Sequence, residues 1–217
     1  MSVDGAVLVA GADGPVQVAG PVQVAGTVTA AGSVPVAGSV PVAGSVPVAG
    51  PGPVDGLVLV VGLGAPDRGD DAVGGEVAAL VAGRVGDRAR VVMREDPTAL
   101  VQLWDGCGAA IVIDAVASGG TPGTVRVIEA GVGAARLPTE TFAASGRGGT
   151  HAFGLAGAVE LSRALGTLPA RVAIVGIEAA TFAYGPMSPH VNASIGAAAA
   201  AVEAELARVG IEVTTCA

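Results

Sequence analysis

From residue 57 onward, apolar runs of five to eight residues alternate with amphipathic stretches, and each change of period marks an element. LVLVVG (57–62) predicts a buried strand. Val73, Val77, Leu80 and Val81 then share one face at 3.6 spacing, predicting a helix over 70–83. A second strand is expected over 90–94. DPTALVQLW follows as a short helix with Asp96 at its N-cap. AAIVID (109–114) is a third strand, apolar until its last residue, and 124–128 a fourth. The Gly-rich segment 131–149 reads as a mobile loop, and Thr150 as the cap of a helix from His151 to Leu165. Strand 171–177 and a helix opened by Ser188 and Pro189 complete the pattern. The last helix carries the stripe Val191, Ile195, Ala198, Val202 and Leu206, with Glu203, Glu205 and Arg208 off it. Strands that are continuously apolar and separated by helices belong to a largely parallel sheet covered on both faces. The expected fold is therefore an α/β sandwich.

The first 55 residues do not follow this pattern. Residues 15–50 are six hexapeptides, PVQVAG, PVQVAG, TVTAAG, SVPVAG, SVPVAG and SVPVAG. Six units make only two coils of a left-handed β-helix, and such a stack needs about three or more to bury its faces. The preferred reading is a low-complexity, disordered extension over 1–55 with extended or polyproline-like local structure, followed by an α/β domain over 56–217. PGPVDG is the linker.

Charge narrows the partners. Nineteen acidic residues face 11 basic ones, all of them arginine, for a net charge of -8. That balance disfavours nucleic acid and anionic membranes and favours cationic or metal-containing partners. Two cysteines, Cys107 and Cys216, make no disulfide framework and fit a reducing, cytoplasmic compartment. The N-terminus has neither the basic nor the apolar region of a signal peptide, and no uninterrupted apolar run reaches membrane-spanning length.

In an open parallel sheet, ligands bind beyond the carboxyl ends of the strands. Asp70 and Asp71 follow the first strand, Asp114 ends the third, and His151 begins a helix after the Gly-rich loop. Two carboxylates and an imidazole form a donor set suited to nickel or zinc. Neighbouring helical residues diverge by about 100° and cannot easily share one small site. Asp70 therefore reads as an N-cap, and Asp71 as either the ligand or a helix-dipole partner. Asp114 has no packing reason to end an apolar strand. His190 is expected to face solvent, Ser118 to be a turn residue because no G-x-S-x-G elbow surrounds it, and Cys107 to be structural. Gly62-Leu63-Gly64 begins a dinucleotide fingerprint, but Asp67 stands where its third glycine belongs. A nucleotide-binding, Rossmann-type protein is thus the weakest alternative.

Four segments, in order, resemble the hydrogenase maturation proteases. GLGAPDRGDDAVGGEVA is similar to their G-x-G-N-x-x-x-x-D-[DE]-x-x-G element, and IVIDAVASGGTPGTV to their V-D-A-x-x-x-G-x-x-P-G-T segment. THAFGL is similar to their [ST]-x-H-x-x-x-L, and GIEAATFAYGPMSPHV to their closing G-I-E and S-P-x-V. The resemblance implies a five-stranded twisted sheet between helices and an endopeptidase that removes the C-terminal extension of a nickel-loaded [NiFe]-hydrogenase large-subunit precursor. It also implies that Asp71, Asp114 and His151 are the metal-contacting catalytic residues, with nickel that of the substrate. The family's usual Asn is here Ala65, which lacks a side chain able to fix the loop. That departure and the unusual N-terminus motivate an alternative reading, a noncatalytic nickel-dependent checkpoint module on the same scaffold.

Overall fold

A computed structural model describes residues 53–137 and 154–213. Five strands form one sheet: β1 (Val58–Leu63), β2 (Arg90–Arg94), β3 (Ala109–Val116), β4 (Val125–Glu129) and β5 (Arg171–Glu178). Their spatial order is β2-β1-β3-β5-β4. β1, β2, β3 and β5 run parallel, and β4 pairs with β5 antiparallel. The order reverses between β1 and β3. The chain leaves β1 toward β2 on one side and β3 toward β5 on the other, which opens a crevice at their carboxyl ends.

Helices cover both faces. α1 (Val73–Val85) and the C-terminal α4 (Pro189–Arg208) bury Val73, Val77, Val81, Val191, Val202 and Leu206 against Val58, Val60, Ile111 and Ile113. On the other face α2 (Leu100–Leu103) and α3 (Leu155–Leu165) pack against Leu59, Val61, Ala110, Val112 and Ile174. The buried Trp104, just after α2, donates from Nε1 to Ser162 Oγ of α3 at 3.0 Å. Its ring thus fills the core while its one polar atom stays paired.

β1 and β3 are wholly buried and β5 is buried after Arg171, while β2 and β4 hold only half-buried and exposed positions, as edge strands do. The β1–α1 contact is close enough to demand glycine at both partners. A Cβ on Gly62 would lie 2.2 Å from the Gly74 carbonyl oxygen, and one on Gly74 would lie 2.1 Å from that of Leu63.

The expected elements all form, with four local corrections. Residues Gly69–Ala72 form a 3-10 turn, so the α-helix starts at Val73 and runs to Val85. Leu80 is 37% exposed, because the buried stripe advances through Val77, Ala78, Val81 and Val85 and leaves position 80 on its edge. Glu205, expected off the stripe of α4, is buried beside Leu206, where burial pushes its carboxyl up against the opposing pull of Arg208. Helix α3 begins at Leu155 after Gly154. The residues read as its cap and first turn, Thr150 and His151, lie outside the described residues, as do the hexapeptide repeats and most of the Gly-rich loop. Among the described residues no helix is long and apolar enough to cross a membrane.

Candidate functional site

Four carboxylates are buried at the carboxyl end of the sheet: Asp70 (0% exposed), Asp71 (3%), Asp114 (0%) and Glu178 (3%). An ionised carboxylate taken out of water needs compensating partners. What each one has found separates them.

Asp70 is not an N-cap. Arg68 occupies that position, and Asp70 sits within the 3-10 turn. Its side chain reaches across to the loop between β5 and α4. Oδ2 accepts from Ala180 N (2.7 Å), Thr181 N (3.0 Å) and Ser188 Oγ (3.1 Å), and Oδ1 accepts from Ser188 N at 2.6 Å. Burial alone would push this carboxyl up, but the hydrogen bonds from Ser188, Ala180 and Thr181 outweigh it and hold it below its ordinary value. Ser188 does stand at the N-cap of α4 with Pro189 following, yet its hydroxyl makes no capping bond and serves Asp70 instead.

Glu178 does the same work on the other side of the crevice. It ends β5 and accepts from Ser118 N (2.8 Å), Ser118 Oγ (2.5 Å) and Gly120 N (3.0 Å), fixing the loop that follows β3. Ser118 is therefore a turn residue with its hydroxyl committed. The signal for Glu178 was present in the sequence: RVAIVGIE is an apolar strand ending in an acid, the same signature that singled out Asp114.

Asp71 is held on one side only. Its Oδ2 accepts from the main-chain N–H of Ala65 at 2.9 Å. Its Oδ1 is buried and has no hydrogen-bond partner among the described residues. Burial pushes the Asp71 carboxyl up, and Glu95 and Asp67 add to the rise, more than the Ala65 bond and the nearby Arg68 cation pull it down. The missing Asn side chain at position 65 does not release the loop, because the main-chain amide holds Asp71 whatever the side chain. An anionic oxygen left unpaired in this way fits a cation better than it fits solvent.

Asp114 is fully buried on β3, opposite Gly176 of β5. Side chains alternate along a strand, so it shares the face of Ala110, Val112 and Val116, which pack into the layer covered by α3. The Asp71 turn lies over the same strand end. The absent Cβ of Gly74 would come within 2.6 Å of the Ile113 carbonyl oxygen. Asp71 thus follows β1 and Asp114 lies two residues before the end of β3, so each stands at the carboxyl end of one of the two neighbouring strands that flank the switch point. His151, the third member of the expected set, lies outside the described residues. Among the described residues no three His, Cys, Asp or Glu side chains gather as a metal site would require.

The glycine loop is not a phosphate cradle. Gly64, at φ +120, leaves room for the Asp71 carbonyl, which would be 1.8 Å from its Cβ. The space a pyrophosphate would need is filled by main chain. A cavity of about 290 Å³ opens beside this loop, lined among others by Gly64, Pro66, Met93, Arg94 and Glu95. A larger one of about 470 Å³ runs along β2 toward Leu57 and Cys107. The smaller cavity is lined by Gly64 and Ala72, the latter next to Asp71 in the chain. Burial pushes the Cys107 thiol up, consistent with a structural cysteine, and His190 is exposed.

A family model for hydrogenase maturation proteases matches residues 96–205, just over half of the chain. The match includes Asp114 and His151 and begins after Asp71. Among solved structures, the chain is similar to the hydrogenase maturating endopeptidase HybD from Escherichia coli, at 22% identity and a TM-score of 0.60, covering 72% of this chain and 96% of that one. It is similar to a second endopeptidase from Escherichia coli at 24% identity and a TM-score of 0.59, with 72% and 96% covered. A hydrogenase 2 maturation peptidase from a Thaumarchaeota archaeon is 26% identical, with a TM-score of 0.52 and 72% and 99% covered. No curated protein matches by sequence.

Proposed function

The chain belongs to the hydrogenase maturation proteases, and from that premise we propose that Asp71, Asp114 and His151 form its catalytic, nickel-contacting set. The protein is a peptidase of hydrogenase maturation. The reaction we assign to it is hydrolysis of one peptide bond, releasing the C-terminal extension of a [NiFe]-hydrogenase large-subunit precursor. Nickel enters as part of the substrate. The observation that carries this reading is Asp71, a buried carboxylate aligned by the Ala65 amide with its second oxygen unpaired among the described residues.

Nickel in the precursor would supply a Lewis acid and an anchor for the scissile carbonyl. Asp71 and Asp114 would offer it oxygen donors at the switch point, and His151, which lies four residues before Leu155 of α3 in sequence, would offer nitrogen. The acidic site and the net charge of -8 favour a cationic centre. A water adds to the carbonyl carbon, a carboxylate takes its proton, and that proton passes to the leaving amine as the C–N bond breaks. This is an aspartyl-type, metal-assisted mechanism. A free thiol at Cys107 suits cytoplasmic action. Ala65 holds Asp71 through its main chain, which answers one motive for a noncatalytic checkpoint; the other, the N-terminal repeats, lies outside the described residues.

The test uses nickel-loaded and nickel-free precursor with mass spectrometry of the products. The C-terminal peptide should appear only from the loaded form. Ala variants of Asp71, Asp114 and His151, taken singly, should each lose at least about 100-fold of the rate, the scale on which general acid–base groups act. Cleavage that survives all three substitutions overturns the assignment.

A further inference from the structure

We propose that Arg68 and Tyr184 form a docking point for the precursor polypeptide at the lip of the Asp71 site, setting substrate affinity rather than chemistry. The inference rests on the protease reading above.

The chain is poor in aromatics, with three Phe, one Trp and one Tyr. Its only Tyr is 79% exposed, more than any other large apolar side chain among the described residues. Tyr and Arg are the residue types enriched among the anchors of protein interfaces. The Arg68 guanidinium lies 5.9 Å from the centre of the Tyr184 ring, within cation–π range. The Arg68 Nε is buried and has no hydrogen-bond partner among the described residues.

The pair is held in place by its backbone. Arg68 and Gly185 form a parallel bridge, Gly69 N donates to Gly185 O at 3.0 Å, and Gly185 N donates to Asp67 O at 3.0 Å. Gly69 has φ +56, and a Cβ there would lie 2.9 Å from the Ala183 carbonyl oxygen. Asp70, the next residue, ties the same two loops together through Ala180, Thr181 and Ser188. A main chain fixed at Arg68 and Gly185 lowers the cost of ordering the two side chains on binding. Asp71 N donates to Arg68 O, placing the pair one turn from the proposed catalytic carboxylate.

The chemistry selects the occupant. A planar guanidinium beside an aromatic face takes a main-chain carbonyl or carboxylate from a polypeptide whose neighbouring side chain lies on the ring. The polypeptide that must lie beside Asp71 is the one that carries the scissile bond.

The experiment measures single-turnover cleavage of a nickel-loaded large-subunit precursor against protease concentration, with calorimetric binding of the same precursor in parallel. Arg68→Ala and Tyr184→Ala should each raise the half-saturating concentration about tenfold, equivalent to about 1.4 kcal/mol, with the limiting rate of Tyr184→Ala, which does not bear on the Asp71 charge, within about twofold. Tyr184→Phe should behave as the unmodified protein, and Arg68→Lys should not restore affinity. Half-saturation and binding unchanged in both Ala variants overturn the docking point, as does a lowered limiting rate at unchanged affinity. If the unmodified protein binds precursor without cleaving it and the variants bind about tenfold more weakly, the docking point stands and the protease assignment falls. If it neither binds nor cleaves, both fall.

Discussion

Replacing Asp70 by Asn removes one charge and reverses one hydrogen-bonding atom at a fully buried position. The carboxylate accepts four bonds there, three from main-chain amides and one from a hydroxyl. An amide oxygen can keep the pair from Ala180 and Thr181, but the new NH2 then faces Ser188 N–H, donor against donor. Stranding that buried amide costs about 1–3 kcal/mol, and the surviving bonds lose their charge assistance. We expect about 3 kcal/mol of destabilisation for Asp70→Asn and about 1 kcal/mol for Ser188→Ala, which removes a single hydroxyl donor. In a folded region of roughly 160 residues each kcal/mol moves Tm by about 2–4 °C, so Asp70→Asn should melt about 6–12 °C lower. The pH dependence gives an independent check. Asp70 is held below its ordinary value of 3.8, so its contribution is fully present above that value and is lost as pH falls through the native pKa. Thermal melts by circular dichroism from pH 7 down to 3 should therefore show the gap between Asp70→Asn and the unmodified protein narrowing at the acid end. A gap under about 2 °C at pH 7, or one that stays constant with pH, refutes the tether.

Other outcomes follow from the same geometry. Asp71→Asn should abolish cleavage yet stabilise the substrate-free protein by about 1 kcal/mol at pH 7. Its native pKa is raised, so an ionised Asp71 opposes folding as pH rises past the ordinary value, and the gain should vanish below it in urea titrations. Glu178→Ala should lower stability by about 1–3 kcal/mol by removing the acceptor of Ser118 N, Ser118 Oγ and Gly120 N, whereas Glu178→Gln, whose amide oxygen keeps both main-chain donors and whose NH2 can donate to Ser118 Oγ, should cost less. Ser118→Ala should cleave precursor within a few-fold of the unmodified rate, whereas a loss near 1,000-fold or more, of the order seen when a catalytic nucleophile is removed, would mark it as one. Gly74→Ala should cost about 3 kcal/mol or more by denaturant melt, because its methyl meets the carbonyl oxygens of Leu63 and Ile113 at 2.1 and 2.6 Å.

Strand and helix positions were readable because the period of apolar residues is a local property. LVLVVG, AAIVID and RVAIVGIE announce themselves, and β1, β3 and β5 form within one or two residues of where the pattern puts them. What the pattern could not supply was the role of each acid. Asp70 and Asp71 are adjacent and chemically identical, and a cap at the first with a ligand at the second was a reasonable division by helix geometry alone. Their difference is made by Ala180, Thr181 and Ser188, which lie 110 to 118 residues away and reach Asp70 only once α4 has docked. Leu80 and Glu205 failed for a related reason. A helix's apolar stripe is read from its own residues, whereas its buried face is chosen by the sheet and the neighbouring helix.

The four acids buried at the carboxyl end of the sheet divide into two that fix loops and two that the proposal assigns to chemistry. β1 and β3 end side by side, but the loops leaving them have no regular partner to fix their course. Asp70 and Glu178 spend every oxygen on main-chain amides and hydroxyls of neighbouring loops, converting those loops into rigid walls. Asp71 is then set by a single bond from Ala65, and a single bond suffices because the residue before it is already tied. The Ala65 side chain plays no part in that bond. A side-chain anchor there would duplicate what Asp70 and the Ala65 amide already do, so Ala65→Asn should change Asp71-dependent cleavage by no more than about threefold. Asp70→Asn should depress it much further, although Asp70 has no free oxygen to offer a substrate. The opposite ranking, measured in the same precursor assay, would mean that Asp71 is positioned from position 65 and that the tether serves stability alone.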